Sequence, residues 1–286
     1  MRGFIIGLAV AILCGIGTAN PAAAAADKCD PSALATKYPS LVGKTIRVAE
    51  DPQGPPYAFR DPEDFDHLIG FDTDTARATF ACIGVPIEFK TGSWSGLLPS
   101  VIAGQSDVMW SNLYYTPERA KQVDFVTWTL AATRGMVRKG NPKHIHSLDD
   151  ACGVRAAAGL GTVEEAMFRG IGQKCVAAGK PAPQIVTYPD RPTGVRLLLN
   201  DRADLMMGDA GGNAYIIKQY PNDLESGFTI LTNFKVGPGI TKSLPQLRQA
   251  IFEAMRIIQA DGAQKAAMEK YGIDPALQRP VEMHTQ

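Results

Sequence analysis

The sequence predicts an α/β protein made of two βαβ lobes, and three observations support this. Residues 45–126 alternate strand and helix signals, and residues 153–208 repeat the same order. Such alternation is typical of parallel sheets with right-handed crossovers. Beyond the first 26 residues, roughly 260 residues remain, enough for two lobes at about 100–200 residues per domain. We expect a ligand cleft between the lobes and a two-segment hinge near Arg134–Val137 and Leu231–Val236.

The first 26 residues have the features of a secretory signal peptide. Arg2 precedes an apolar run from Phe4 to Ile16, and small residues follow from Thr18 to Ala26. This run is too short and too weakly flanked for a membrane span. We therefore divide the chain into a cleaved signal peptide (residues 1–26), a discontinuous first lobe (residues 27–134 and 237–286) and a second lobe (residues 135–236).

The charges of the chain are balanced, because 29 Lys and Arg residues face 29 Asp and Glu residues. This balance gives no reason to expect binding to nucleic acid or to an anionic membrane surface. The four histidines are scattered, and no cluster has the spacing of metal ligands. We therefore expect neither a metal nor another cofactor.

Four cysteines remain once the leader is removed, and three pairings are possible. An even number of cysteines in an exported chain favours disulfides. Nearness in sequence and shared lobes favour Cys29–Cys82 and Cys152–Cys175. Each bridge would stabilise the fold by about 2–4 kcal/mol, because it restricts the unfolded chain.

The first lobe is predicted to hold three strands and two helices before its last segment. In chain order these are the strand Thr45–Ala49, the helix Thr73–Ala81, the strand Val85–Phe89, the helix Gly96–Ala103 and the strand Asp107–Trp110. Ligands of such sheets bind at the carboxyl ends of the strands. The loops at these ends are Glu50–Tyr57, Lys90–Ser95 and Ser111–Thr116. Three separate regions of the sequence therefore converge on one place.

The second lobe repeats the pattern. Its predicted elements are the strand Gly153–Ala157, the helix Val163–Phe168, the strand Gln184–Tyr188, the helix Thr193–Asn200 and the strand Asp204–Gly208. Gly159-Leu160-Gly161 is a weak nucleotide fingerprint, because Glu164 stands where a third glycine is needed. A nest of backbone N–H groups in this turn, before Thr162, would instead suit a small carboxylate. A core helix over Leu244–Asp261 and a last helix over Ala263–Tyr271 return the chain to the first lobe.

Arg119 is a candidate anion-binding residue. Thr116 and Pro117 predict the start of a helix, which places Arg119 in its first turn. A cation there opposes the positive end of the helix dipole, and a bound carboxylate would compensate. The alternative is a surface arginine paired with Glu118 or Asp124.

The segment from Thr116 to Arg119, followed by Val123-Asp124-Phe125, resembles a motif of the periplasmic solute-binding proteins of amino-acid ABC importers. These are the family 3 proteins with the type II periplasmic-binding fold of two Rossmann-like lobes, and the resemblance runs from about Thr45 to about Gly272. It implies that Arg119 holds the α-carboxylate of an amino acid and that Asp209 pairs with its α-ammonium. It also implies a periplasmic location and a membrane ABC permease as partner.

Three further cleft residues stand at or near family positions: Asp51, Tyr57 and Trp94. Trp94 is flanked by small polar and glycine residues, so we interpret it as an aromatic platform on a flexible loop rather than a core residue. Tyr57 is also compatible with a structural role, because two prolines precede it.

The sequence departs from the family at the clamp. Asn112 stands where small residues are common, Tyr114 replaces the hydroxyl that usually contacts the α-ammonium, and Gly161 replaces a frequent Thr or Ser. Ala157 and Gly208 are small where relatives that bind polar side chains carry polar groups. The Tyr114 phenol would shrink the site or reshape it for a modified amino acid, and the two small residues favour a neutral or apolar ligand.

The leading hypothesis is a monomeric periplasmic receptor that binds a zwitterionic ligand without catalysis and delivers it to a permease. A second hypothesis is an accessory or sensory protein on the same scaffold. A third is a cyclic-carboxylate dehydratase that would use Glu50, Asp51 or Asp209 as general acid or base.

Overall fold

The computed structural model describes residues 28–285. The predicted signal peptide lies outside the described residues. Between residues 28 and 285, no helix combines the length and the apolar character needed to cross a membrane.

The first part of the chain forms a βαβαβ unit, as predicted, with small displacements of the element ends. A short helix α1 (Leu34–Lys37) precedes β1 (Ile46–Glu50), which pairs in parallel with two later strands. Between them lies a small antiparallel sheet of two-to-three-residue strands. The elements after β1 are β2 (Gln53–Gly54), β3 (Ala58–Arg60), β4 (Leu68–Ile69), α2 (Phe71–Ile83), β5 (Ile87–Thr91), α3 (Trp94–Ile102), β6 (Val108–Met109) and α4 (Pro117–Ala120).

A long strand, β7 (Val123–Arg138), carries the chain into the second lobe. The elements that follow are β8 (Arg155–Gly159), α5 (Val163–Ala177), β9 (Gln184–Tyr188), α6 (Arg191–Leu199), β10 (Leu205–Asp209), α7 (Ala210–Gln219) and β11 (Leu224–Val236). β8 pairs in parallel with β9 and β10. The predicted second βαβ unit is therefore confirmed, although α5 continues well beyond Phe168. The longer α5 buries Ile171 and Cys175.

The chain then returns to the first lobe through β12 (Gly239–Thr241), α8 (Pro245–Ala260), α9 (Ala263–Lys270) and β13 (Gln278–His284). α8 buries Leu247, Ile251, Ala254 and Ile258, each at most 3% exposed, so its predicted role in the core is confirmed. The main sheet has the strand order β5-β1-β6-β12-β7-β10-β8-β9, with β11 and β13 also paired to β7.

β7 joins the two lobes because its partners change along its length. Its first half pairs with β12 and β13 up to Thr129, and its second half pairs with β10 from Thr133 onward. The returning strand β11 runs antiparallel beside it, with an irregular register between Leu231 and Lys235. This irregularity lies within the predicted hinge segment Leu231–Val236, whereas Arg134–Val137 pairs fully with β10. The hinge positions stay a prediction. The lobe boundaries given above stay a prediction.

Each lobe has its own apolar core. In the first lobe Trp110 and Trp128 meet edge to face, with ring centroids 6.3 Å apart, and α8 and α2 cover them. In the second lobe, α5 places Phe168 on the sheet beside Val137 and Leu205. Separate cores let the lobes behave as rigid units on the two strands that connect them.

Both predicted disulfides are present. Cys29 is joined to Cys82 on α2, and Cys152 is joined to Cys175 on α5. The first bridge ties the start of the described chain to the first lobe, and the second fixes α5 in the second lobe. Neither bridge crosses between lobes, so neither opposes a hinge motion.

Candidate ligand-binding cleft

A cleft between the lobes encloses about 730 Å³ of empty space, counting the part that is open to solvent. The first lobe contributes polar and aromatic side chains to its lining, namely Asp51, Tyr57, Trp94, Asn112, Tyr114 and Arg119. The second lobe contributes Thr162, Glu164, Tyr188, Asp190, Arg191 and Asp209. Eight of the nine predicted binding residues therefore line one cleft. The ninth, Gly161, contacts Arg119 through its carbonyl oxygen.

Arg119 lies in the first turn of α4, as predicted. The Thr116 hydroxyl caps this helix by accepting from the Arg119 backbone N–H at 3.2 Å. The guanidinium donates to the Tyr114 carbonyl at 2.7 Å and, across the cleft, to the Gly161 carbonyl at 2.9 Å. A guanidinium has five N–H donors. Three therefore remain for a ligand, one each on Nη1, Nη2 and Nε. This arrangement suits a carboxylate bound through two parallel hydrogen bonds.

The surroundings of Arg119 do not support the alternative of a surface ion pair. Asp124 pairs instead with Lys242 and Arg248. Burial of the Arg119 guanidinium lowers its pKa, and the nearby Glu164 carboxylate acts in the opposite direction. The guanidinium is thus partly desolvated in the cleft, where an anionic ligand would interact with it strongly.

Asp209 ends β10 and faces Arg119's lobe. Its Oδ1 accepts from the Tyr57 hydroxyl at 2.7 Å and from the Gly212 N–H at 2.9 Å, and its Oδ2 accepts from the Tyr114 hydroxyl at 3.1 Å. Both phenols belong to the first lobe, so these bonds cross the cleft. A carboxylate has about four acceptor positions. One position, on Oδ2, is left for a further donor.

Asp209 leads into a helix, although the Ala210-Gly211-Gly212 sequence that follows it predicts a glycine-rich loop. Ala210-Gly211-Gly212 forms the first turn of α7, and Asp209 is its N-cap. Glycine is a poor helix former by about 1 kcal/mol, but here small residues are needed. A Cβ at Gly211 would lie 3.0 Å from the Tyr57 hydroxyl, and a Cβ at Gly212 would lie 2.3 Å from Nη1 of Arg191. The two glycines therefore allow the Tyr57 and Arg191 side chains to lie against the surface of α7.

Tyr114 is held in place by contacts with β11, one of the two strands that connect the lobes. Its ring stacks on Phe234 of β11, with centroids 5.9 Å apart, and its backbone bridges to Val236. Burial and the Asp209 charge raise the pKa of the Tyr114 hydroxyl well above its ordinary value. The phenol therefore stays protonated and donates to the Asp209 carboxylate.

The prediction that Trp94 lies on a flexible loop is also wrong. Trp94 is the first residue of α3, and its indole N–H donates to the Ser111 carbonyl at 3.1 Å. Its half-buried ring packs beside the first-lobe core and lies 5.4 Å from the Arg119 guanidinium carbon. The ring thus lines the cleft from a rigid element.

We expect Trp94 to report ligand binding by fluorescence. The other two tryptophans, Trp110 and Trp128, are each only 1% exposed in the core. A Trp94→Phe variant should lose the ligand-dependent change in emission, whereas a Trp128→Phe control should keep it. Loss of one hydrogen bond costs about 1 kcal/mol, so Tm should fall by only about 2–4 °C. A Trp94→Phe protein that fails to fold would assign the ring to the core alone.

Asn112 and Asp51 are fixed by backbone contacts. Asn112 has a left-handed φ of 45°, and its N–H donates to the buried Asp72 carboxylate. Burial raises the pKa of Asp72 to about 7, while the Asn112 N–H lowers it. The Asp51 carboxylate accepts from the Gln53 N–H at 2.9 Å, and burial raises its pKa. Both residues are therefore positioned by the loops after β1 and β6.

The N–H nest predicted around Gly161 and Thr162 does not face the cleft. The Gly161 N–H donates to the Glu165 carboxylate at 2.8 Å, and the Thr162 hydroxyl caps α5 by accepting from the Glu165 N–H at 3.3 Å. These groups serve the helix start. Gly161 instead presents its carbonyl to Arg119.

Sequence reasoning missed three cleft residues: Glu164, Tyr188 and Arg191. Glu164 is buried, accepts from the Thr133 hydroxyl at 3.0 Å, and has a raised pKa because of that burial. Tyr188 is the last residue of β9, and Arg191 is the first residue of α6. Their position at the carboxyl end of a parallel strand is the signal that could have identified them.

Glu50, one of the acids named for a catalytic alternative, does not line the cleft. It is fully buried and accepts from the Thr73 hydroxyl at 2.7 Å. Its Oε1 has no hydrogen-bond partner among the described residues, and burial raises its pKa well above the ordinary value. Glu50 therefore fits a neutral core carboxyl better than a group that meets a ligand.

Comparison with known proteins gives three matches of different kinds. The model of the family described as bacterial extracellular solute-binding proteins, family 3, matches residues 46–274. The L-cystine-binding protein TcyJ of Escherichia coli (strain K12) is 28% identical over 228 residues, which cover 79% of this chain and 82% of that protein. The structure of an ancestral arginine-binding protein bound to arginine has a TM-score of 0.73 and 27% identity, covering 79% of this chain and 97% of that one.

A fourth comparison bears on catalysis. The structure of the ancestral amino-acid-binding protein AncCDT-1, a precursor of cyclohexadienyl dehydratase, has a TM-score of 0.66 and 28% identity. It covers 79% of this chain and 95% of that chain. That protein is itself described as an amino-acid-binding protein.

Proposed function

This chain belongs to the bacterial extracellular solute-binding proteins, family 3, and on that premise we propose that it captures an amino acid or close derivative and delivers it to an ABC-type permease. The observation that carries the proposal is the placement of Arg119 and Asp209 in one cleft, one from each lobe. Opposite charges on opposite walls suit a small zwitterion.

In this proposal Arg119 holds the α-carboxylate. Its three remaining N–H groups point to a fork-like contact, and the Trp94 ring beside it excludes water. Asp209 receives the α-ammonium at the acceptor position left on Oδ2, and the Tyr114 hydroxyl orients that carboxylate. Asn112, Asp51, Tyr57 and Thr162 complete the walls of the site.

Contacts between the lobes explain how binding would be coupled to closure. The Arg119 bond to the Gly161 carbonyl and the Tyr57 and Tyr114 bonds to Asp209 all join the two walls. A ligand that contacts both walls binds the closed arrangement better than an open one and shifts the population toward it. We infer that the permease recognises this closed form.

We infer that the site binds without catalysis. Of the three acids considered, Glu50 lies outside the cleft, Asp209 is occupied by three donors, and Asp51 is held by its own loop. The relatives described above are named for binding cystine and arginine, and both names refer to amino acids. We further propose that the mature protein is a monomer exported to the periplasm after cleavage of residues 1–26.

A thermal-shift screen of the mature protein tests the proposal. A ligand that binds only the folded state adds about 2.7 kcal/mol of stability at a hundredfold excess over its Kd. We expect α-amino acids or their derivatives, with L-cystine and L-arginine in the panel, to raise Tm, and matched carboxylates without an amine to have little effect. Equal shifts from the amine-free carboxylates would contradict the zwitterion clamp.

A further inference from the structure

A second cation faces the cleft from the wall opposite Arg119. Arg191 is the first residue of α6, at the carboxyl end of β9, and its side chain is half-buried in the cleft lining. Arg191 and Arg119 belong to different lobes and have no contacts in common: Arg119 donates to Tyr114 and Gly161, whereas Arg191 lies against α7. The cleft therefore has two separate guanidinium groups.

The fold makes room for the Arg191 guanidinium. A Cβ at Gly212 would lie 2.3 Å from Nη1 and 2.7 Å from Cζ of Arg191, which is closer than non-bonded atoms approach. A side chain at position 212 would therefore displace the guanidinium from its place on the first turn of α7. The side chain is thus seated in a defined place rather than extended into solvent.

The Arg191 guanidinium has few polar contacts with the described residues. Within residues 28–285, its side chain forms no ion pair, and its one hydrogen bond is a long one, 3.4 Å from Nη1 to Oδ1 of the buried Asn213. A guanidinium has five donors, so four remain for a ligand. A half-buried cation with unused donors in a ligand cleft favours an anionic ligand group.

The groups around Arg191 are polar and come from both lobes. Burial raises the pKa values of Asp51 and Tyr57 of the first lobe and of Tyr188 of the second, and the nearby Arg191 charge opposes that rise in each case. Asp190 is adjacent, but its Oδ1 accepts from the Thr193 N–H at 2.9 Å as the cap of α6. Asp51 of the first lobe thus faces Arg191 of the second lobe. In the other pair the cation, Arg119, belongs to the first lobe and the carboxylate, Asp209, to the second.

We propose that Arg191 binds a second carboxylate of the ligand, at the end away from the α-carboxylate held by Arg119. This inference rests on the proposed function and specifies its ligand class. It replaces the expectation of a neutral or apolar ligand, which rested on the small residues Ala157 and Gly208. The second carboxylate belongs either to an acidic amino acid or to the second head group of a bis-amino acid, whose second ammonium Asp51 would receive.

Matched ligands separate these cases. L-glutamate and L-glutamine have nearly the same shape and differ in one negative charge, and meso-diaminopimelate and L-lysine differ in one carboxylate. L-cystine provides a second bis-amino acid. Calorimetric titration of the wild-type protein should show at least about tenfold tighter binding for the member with the second carboxylate in one of the pairs, since a single desolvated charge contact is worth a factor of this size or more.

Two variants on the same helix test the assignment. Arg191→Met should remove that preference, while affinity for the member without the second carboxylate changes less than about threefold. Arg196→Met is the control, because Arg196 is exposed on α6 and, among the residues that the structure describes, donates only to the Thr193 hydroxyl. Asp51→Asn should weaken the binding of a bis-amino acid more than it weakens the binding of L-glutamate.

The outcomes are distinct. If both members of every pair bind equally, or if Arg191→Met keeps the preference, the second carboxylate site is wrong while the proposed function stands. If no amino acid or bis-amino acid binds the wild-type protein, the proposed function itself fails. An Arg191→Lys protein that retains part of the preference would support a charge contact at this position.

Discussion

Replacing Arg119 with alanine is expected to lower the affinity for an amino acid at least about thirtyfold. Truncating one partner of a desolvated charge pair costs about 2–5 kcal/mol, and about 1.4 kcal/mol corresponds to a factor of ten. The variant removes the only cation of the first-lobe wall of the cleft, among the residues described, and also removes the bond to the Gly161 carbonyl that joins the walls. Affinity measured by calorimetry should therefore fall through both a lost ligand contact and a weaker closed form.

Lys121→Ala is the matched control for this prediction. Lys121 directly follows α4, and it is exposed. Its removal changes the net charge by the same amount without touching the cleft, so affinity should stay within about twofold. If Arg119→Ala bound an amino acid as tightly as Lys121→Ala, the carboxylate would have to be held elsewhere, and Arg191 would become the first candidate.

Replacing Asp209 with asparagine is expected to have an effect of similar size, at least about thirtyfold, on ligands that carry an α-ammonium. The amide keeps the shape of the side chain and an oxygen that can cap α7 and accept from Tyr57, but it loses the negative charge. The free energy of unfolding should therefore change little. Asp209→Ala should in addition destabilise the protein, because loss of an N-cap costs about 0.5–2 kcal/mol and two buried phenols lose their acceptor.

A ligand without an ammonium group is the control for the Asp209→Asn variant. A carboxylate analogue that lacks the amine should bind the wild-type protein weakly and should bind Asp209→Asn equally weakly. An amino acid whose affinity is unchanged in Asp209→Asn would show that its ammonium is satisfied by other groups, such as the buried Glu164 carboxylate. That result would separate a true zwitterion clamp from a site that recognises the carboxylate alone.

Several parts of the fold could be read from local sequence because their signals are local. The alternation of apolar strands with helix starts predicts both βαβ units, and the Thr116-Pro117 pair predicts the start of α4, where the threonine hydroxyl forms the cap. The cysteine pairs follow from their nearness and from the lobes they share. The strand, helix and cap signals each lie within one or two neighbouring elements, whereas the cysteine pairs are separated by 53 and 23 residues within one lobe.

The elements that the sequence analysis missed depend on contacts from distant residues. The first turn of α7 contains two glycines, which disfavour a helix. Those glycines contact the side chains of Tyr57 and Arg191, which are more than 20 positions away in the chain. The carboxylate that caps α7 accepts hydrogen bonds from Tyr57 and Tyr114 of the other lobe. Trp94 has polar and glycine neighbours typical of a loop, yet its indole N–H is fixed by the Ser111 carbonyl. Hydrogen bonds between residues so far apart produce no repeating pattern in the sequence, so they cannot be predicted from it.

The sequence by itself determined the two-lobed α/β fold, because hydrophobic periodicity, turn residues and helix caps act over a few neighbouring positions. It favoured the two disulfide pairs through their nearness and shared lobes, and the resemblance to the family indicated Arg119 and Asp209 as the two ends of the proposed zwitterion site. Only the tertiary structure decided which side chains share the cleft and what each one already contacts. It placed two phenols on the Asp209 carboxylate and seated Arg191 over Gly212. The physical reason is that the charge of a binding site depends on which groups remain unpaired after folding, and pairing is settled by distances between residues far apart in the chain.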